Sequence, residues 1–177
     1  MIVVGIDPGY QAGAAVITDC DGVVACWRWK LRRRKAGPIY TVTTQDGTER
    51  ELSTLSQIGE EIKQTINGAE YLLVVEDLFG RGRTLQRLAE SAGEVMGPLR
   101  ADAFGVPIRP GASTWRPQVL GISPRTKADA AEQAAITWAQ RVRGLDRLAS
   151  CGHVCEAVAI AAWGRARLRT IDTVREQ

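Results

Sequence analysis

The spacing of apolar and polar residues changes period several times along the chain, and each change marks an element. Residues 2–6 are a continuous apolar, mostly β-branched run, Ile2-Val3-Val4-Gly5-Ile6, followed by Asp7-Pro8-Gly9. A run of this kind closed by a Pro-Gly turn predicts a short buried strand. Residues 13–18 form a second strand around Ala14, Ala15, Val16 and Ile17, and Asp21-Gly22 supplies a tight hairpin turn. From Val23 to about Leu31 the period is two: Val23, Ala25, Trp27 and Trp29 alternate with Val24, Cys26, Arg28 and Lys30. The chain therefore opens with an antiparallel meander whose third strand has a basic far end. Residues 36–47 have no regular period, with room for a short extra hairpin around Tyr40-Thr41-Val42.

A helical period follows. Ser53 or Thr54 is placed to cap a helix reaching about Ile66, with Leu55, Ile58, Ile62 and Ile66 on one face and Asn67-Gly68 to stop it. Residues 71–75 are again a buried strand, ending at Glu76-Asp77. A helical crossover between two strands makes them parallel. Asp7 and Glu76 are thus expected at the C-terminal ends of neighbouring strands. Phe79-Gly80-Arg81-Gly82-Arg83 reads as a basic, glycine-rich loop. A long helix is expected over residues 84–104, with Leu85, Leu88, Ala89, Ala92, Met96, Leu99 and Ala103 at helical spacing; Gly93 and Gly97 would admit close approach by the sheet or by a partner copy. Val106-Pro107-Ile108 is a short last strand. Residues 113–120 make a short helix in which Pro117 fits best in the first turn. Residues 121–126 are a loop, residues 127–142 a helix, and a final helix runs from about 153 to 168. The sum is an α/β fold: a five-stranded mixed sheet, an antiparallel meander 1-2-3 plus parallel strands, flanked by helices, in one domain over residues 1–177.

Composition narrows the setting. No apolar run approaches the ~18 residues of a membrane span. The N-terminus enters a strand directly, without the basic stretch and apolar core of a leader. The four cysteines include Cys151-Gly152-His153-Val154-Cys155, which lacks the spacing of a zinc site; they read as free thiols in a reducing, cytoplasmic compartment. Net charge is only +3, but 19 of the 23 basic residues are Arg, whose fork suits phosphate oxygens. Arg28, Lys30, Arg32, Arg33, Arg34 and Lys35 form a run without an acid, suited to a phosphate backbone or simply to solvent.

The candidate chemistry lies in four residues. A carboxylate at the edge of an apolar sheet is costly unless compensated. For Asp7 a metal ion or bonds from turn amides would each serve. His153, the chain's only histidine, and Glu156 are three apart on the first turn of the last helix, so they share one face. They can bind one ion, or be a surface His and a capping Glu. Behind them Val158, Ala161 and Ala162 are apolar and lay this helix against the sheet. Carboxylates brought together with Glu76 would repel unless cations sat between them. Two metal ions ~3.5–4 Å apart are a known arrangement for phosphodiester hydrolysis.

In the order and spacing of these segments the chain resembles the RuvC family of Holliday junction resolvases, within the RNase H-like superfamily, over nearly its whole length. Gly5-Ile6-Asp7-Pro8-Gly9 is similar to the family's opening motif. Leu73-Val74-Val75-Glu76-Asp77-Leu78-Phe79 is similar to its second acidic strand, and His153-Val154-Cys155-Glu156-Ala157-Val158-Ala159-Ile160-Ala161 to its terminal helix. The resemblance implies an RNase H-like fold and a homodimeric, structure-selective DNA endonuclease. Such an enzyme would cut four-way junctions by paired symmetric nicks and leave 5′-phosphate ends. Asp7, Glu76, His153 and Glu156 would hold two Mg²⁺ ions, with Mn²⁺ able to substitute. Lys127 would reach the scissile phosphate, and Arg116 would be a second basic position. Phe79 would stack on opened bases, and Arg81, Arg83, Arg125 and Arg32–Arg34 would contact DNA. The chain departs from the pattern in three places: many members carry two Asp on the last helix where this chain has His153 and Glu156, and the long basic third strand and the 36–47 insertion are extra. These suit a phage or mobile-element branch. Other readings are a broader RNase H-like nuclease acting on RNA or on branched or flapped DNA, and a non-catalytic junction binder. An actin-like ATPase would need about twice this length.

Overall fold

Pairing of the opening strands is dictated by the tight turns between them. The computed structural model describes residues 1–9, 11–34, 37–78, 83–145 and 148–175, with side chains to residue 168. Strands β1 (Ile2–Asp7), β2 (Ala12–Thr18) and β3 (Val23–Arg34) form the expected antiparallel meander. Strand β6 (Tyr71–Val75) lies parallel to β1, with Ile6 opposite Val75. The sheet has six strands rather than five, in the order β5-β4-β3-β2-β1-β6. The segment 36–47, read as irregular with room for a hairpin around Tyr40-Thr41-Val42, supplies β4 (Gly37–Thr44), and β5 (Glu49–Leu52) follows just beyond it; both are antiparallel additions to the β3 edge. Residues 106–108 make only a bridge, Val74 to Ile108, with two backbone hydrogen bonds: Val75 N–H to the Ile108 carbonyl and Ile108 N–H to that of Leu73.

Helices cover both faces. Helix α1 (Ser56–Ile66) and α2 (Arg83–Met96) pack on a core that includes Trp27, Trp29, Ile58, Ile62 and Val95. Helices α3 (Ala112–Leu120), α4 (Ala128–Ala139) and α5 (Gly152–Arg175) cover the other face around Val16, Cys26, Trp115 and Ile160. A register shift at Ile17/Thr18 takes Val23 out of the expected alternation, onto the Cys26 face. The start of α1 also differs from expectation. No side chain caps it, and the Leu55 N–H donates instead to Glu94 Oε2 of α2 at 2.8 Å. Asn67 ends it in the left-handed conformation at φ 49°. The long helix stops early, at Met96, because Pro98 removes a helical donor; a 3₁₀ turn, Gly97–Leu99, follows. Pro117 sits at the sixth position of α3, past the first turn, in a helix anchored by the fully buried Trp115.

One close approach fixes the last helix against the first strand. A Cβ added at Gly5 would lie 2.3 Å from the Ala157 carbonyl oxygen and 2.8 Å from Ala161 Cβ, so β1 and α5 touch backbone to backbone. No helix among the described residues is long and apolar enough to cross a membrane.

Candidate metal centre

Four side chains meet where β1 and β6 end. The Glu76 N–H donates to the Ile6 carbonyl at 3.0 Å, which continues the parallel ladder and sets Glu76 beside Asp7. The glycine contact at Gly5 lets α5 cross β1 closely enough for its first turn to overhang Asp7. There His153 Nδ1 lies 2.6 Å from Asp7 Oδ2. Asp7, His153 and Glu156 each offer a ligand atom, and all three atoms lie within 4.8 Å of one another. Glu76 falls outside that tight trio. It shares a cavity of about 270 Å³ with Asp7, Pro8, Gly9, Leu88 and Arg116.

Asp7 and Glu156 are only 6% and 9% exposed, so their charges are poorly solvated. Burial, then the nearby Asp7 charge, pushes the Glu76 carboxyl up to about 8, against a hydrogen bond from Trp115. Burial and Asp7 likewise push Glu156 up to about 7, opposed by Arg116 and His153. The bond to Asp7 raises His153, against its own burial. Burial and crowding thus shift Glu76 and Glu156, and the bond to Asp7 shifts His153, toward their protonated forms.

Two residues of α3 complete the site. Trp115 Nε1 donates to Glu76 Oε1 at 3.0 Å. Arg116 Nη2 donates to Glu156 Oε1 at 2.8 Å, and its guanidinium lies 5.4 Å from the Trp115 ring centroid. Arg116, expected on DNA, thus also anchors a candidate ligand. Trp115 carries no signal in the sequence beyond a tryptophan in a short helix. Its role depends on where α3 docks.

The remaining candidates are more dispersed. Lys127 is exposed at the N-cap of α4. A Cβ on Gly152 would fall 2.1 Å from Glu132 Oε1, so α4 and α5 start side by side and Lys127 stands at the metal-centre end. Arg125 is exposed in the preceding loop, and Arg83 is exposed at the start of α2. Arg32, Arg33 and Arg34 are exposed on β3, where Arg34 pairs with Glu51 of β5. Phe79 and Arg81 lie outside the described residues. Asp77 and Asp129 are exposed. Asp19, Cys20 and Asp21 also cluster, but this is the hairpin turn itself: Asp19 Oδ1 accepts the N–H groups of Asp21 at 2.8 Å and Gly22 at 3.1 Å. All four cysteines are free, and burial pushes the thiols of Cys26 and Cys155 up to about 12.

In structure the chain is similar to Thermus thermophilus RuvC, with a TM-score of 0.53 and 17% identity over 96% of each chain. T. thermophilus RuvC in complex with a Holliday junction substrate matches with the same score, identity and coverage. The likeness agrees with the RNase H-like fold expected, here with six strands. No family model and no curated protein matches the sequence.

Proposed function

We propose that this protein is a cytoplasmic, metal-dependent DNA endonuclease, built as one RNase H-like domain, that resolves four-way junctions by paired symmetric nicks. The observation that supports this is the convergence of Asp7, Glu76, His153 and Glu156, from three separate elements, on one edge of an RNase H-like sheet. The donor set fits divalent ions: three crowded carboxylates, two of them pushed toward the protonated form, and one imidazole. Asp7, His153 and Glu156 would hold one ion, and Asp7 with Glu76 a second. Carboxylates suit Mg²⁺, and the imidazole leaves room for Mn²⁺. Held there, two such ions would supply an activated water for in-line attack on phosphorus and charge stabilisation at the departing 3′ oxygen, which would leave a 5′-phosphate.

The chain's own residues prepare that chemistry. Trp115 fixes the Glu76 carboxylate, and Arg116 fixes Glu156 while offsetting its charge. Lys127 counters charge building on the phosphate. Phe79 stacks in the unpaired centre of the junction, with Arg81, Arg83 and Arg125 on nearby phosphates. Paired nicks require two sites related by a two-fold axis, so the working form is a homodimer. Helix α2 and the turn after it supply the contact: Ala89 and Gly93 are exposed, Leu85 and Leu88 are half-buried, and a Cβ at Gly93 or Gly97 would meet none of the described residues within 4 Å. The structure of T. thermophilus RuvC with a Holliday junction supports branched DNA as the substrate class.

The test is cleavage of an end-labelled mobile four-way junction against linear duplex, a flap and an RNA–DNA hybrid, with Mg²⁺ and then Mn²⁺. Paired, ligatable nicks confined to the junction are expected. Equal cutting of flap or hybrid would move the protein to the broader nucleases. Tight junction binding without any cutting would make it a binder. Asp7→Asn is expected to abolish cutting and preserve junction binding.

A further inference from the structure

The period-two alternation of β3 separates its side chains into two unlike sets. Trp27 and Trp29 enter the core beneath α1 and α2. Cys26 faces α5, and on that same face, past the helices, come Arg28, Lys30 and Arg32. Their cross-strand partners on β4 are Thr43, Thr41 and Ile39. Two cavities open over this face, and both are lined by Arg28 and Lys30. One, about 400 Å³, runs to Gly152 and His153 at the start of α5. The other, about 220 Å³, runs outward to Arg32, Thr41 and Thr43 and ends at Glu49. The first reaches the metal centre through His153, whose ring touches Asp7.

Two polar atoms along this path have no partner. Arg28 Nε and Thr41 Oγ1 are both shut off from solvent, and neither makes a hydrogen bond. Residues two apart on a strand are ~6.6 Å apart, a spacing of the same order as that between successive phosphates of one nucleic-acid strand. The outer border is acidic: Glu49, which accepts from Thr43 Oγ1 at 3.3 Å, and Glu51, which holds Arg34. Arg34 is thereby drawn off, and Arg28, Lys30 and Arg32 remain as the cationic row.

We propose that this face of β3 and β4 is a track for one nucleic-acid strand leading to the metal centre, in which Arg28, Lys30 and Arg32 take successive phosphates and Thr43 supplies a hydroxyl contact. The proposal rests on the nuclease reading and adds to it the side of the site from which the strand enters. It assigns Arg28 and Lys30 a role beyond the exposed arginine run, and it explains why the sheet is extended past β3. The β4 column walls the row on its open side.

The test is equilibrium binding of a four-way junction in Ca²⁺, across a salt series, together with cleavage in Mg²⁺. Lys30 and Arg32 are exposed, so the double variant Lys30→Ala/Arg32→Ala keeps the fold. It is expected to bind ~10-fold or more weakly near 0.1 M salt, with a salt slope shallower by ~1.4 for two lost single-strand phosphates. Stabilisation by Mn²⁺ in the absence of DNA, which reads the candidate metal centre alone, should stay at its wild-type value. Arg100→Ala/Arg141→Ala removes the same charge at the opposite end of the sheet and should leave affinity and slope nearly unchanged. Unchanged affinity and slope in the Lys30/Arg32 variant, with wild-type protein binding and cutting normally, would overturn the track and leave the nuclease reading standing. Wild-type protein that neither binds nor cuts nucleic acid would overturn both.

Discussion

Glu76 and Glu156 show what a cluster of buried carboxylates costs the fold that carries it. Their carboxyls stand near 8 and 7, against an ordinary value of 4.5. Between those limits the metal-free native chain holds more protons than the unfolded chain, so its stability falls as pH rises. His153 acts in the same direction: its raised value contributes stability below its ordinary 6.5, and that contribution is lost as pH rises through the folded value. Metal-free protein is therefore expected to melt at progressively lower temperature from about pH 5 to about pH 8. Saturating Mg²⁺ or Mn²⁺ should flatten the dependence, because the ions replace the protons. Glu76→Gln removes one crowded charge and keeps an acceptor for Trp115 Nε1. It should raise the metal-free melting temperature at pH 8, by ~2–4 °C for each kcal/mol relieved, and abolish cleavage. Thermal melts with and without metal decide this. A melting temperature indifferent to pH and metal would mean that the carboxylates do not crowd one another.

At the scale of elements, the site depends on how closely α5 crosses β1. Gly5→Ala drives a methyl into the Ala157 carbonyl and the Ala161 side chain, neither of which can swing away. Overpacking of this kind costs ~1–3 kcal/mol, and the relief is a shift of the helix that carries His153 and Glu156. Cleavage should therefore fall by more than the stability loss explains, with weaker Mn²⁺ binding read by calorimetry. A variant merely destabilised, with wild-type metal affinity, would argue against this coupling. The same elements show how much of the fold is legible in the sequence. Buried strands and amphipathic helices announce themselves through period, so β1, β2, β6, α1 and α5 could be read, and with them the meeting of Asp7, Glu76, His153 and Glu156. β4 could be read only as room for a short hairpin around Tyr40-Thr41-Val42, and β5 not at all. They are an edge addition rich in Thr and charge, opened by Gly37-Pro38, and they are held by backbone pairing and by ion pairs such as Arg50 with Glu61. Trp115 was hidden as a site residue, and Arg116, expected as a basic position on DNA, was hidden as a partner of Glu156, because both contacts depend on the docking of α3, which no local pattern encodes.

The whole molecule raises the question of how one site per chain could cut two strands. A four-way junction is nearly two-fold symmetric, and a symmetric pair of cuts within one encounter needs a second copy placed by the same axis. The surface available for that contact is the outward face of α2, where Ala89 and Gly93 are exposed and a side chain at Gly93 would meet none of the described residues within 4 Å. Within one chain a Cβ at Gly93 meets none of the described residues within 4 Å, so Gly93→Glu should leave the fold intact. Replacing Gly in a helix interior should even favour the helix by a few tenths of a kcal/mol. Two such carboxylates facing each other across a dimer would repel and lose solvent, so the same change should shift sedimentation from dimer to monomer. The consequence can be read on a supercoiled plasmid that extrudes a cruciform. A dimer cutting both strands in one encounter yields linear product, whereas a monomer cutting once releases the supercoil and leaves a nicked circle. Wild-type protein should give linear DNA and Gly93→Glu nicked circles, with the metal centre intact in both. A Gly93→Glu protein that stays dimeric and still linearises the plasmid would place the contact elsewhere. A wild-type monomer that only nicks would remove the symmetric mechanism and leave a nuclease acting on one strand at a time.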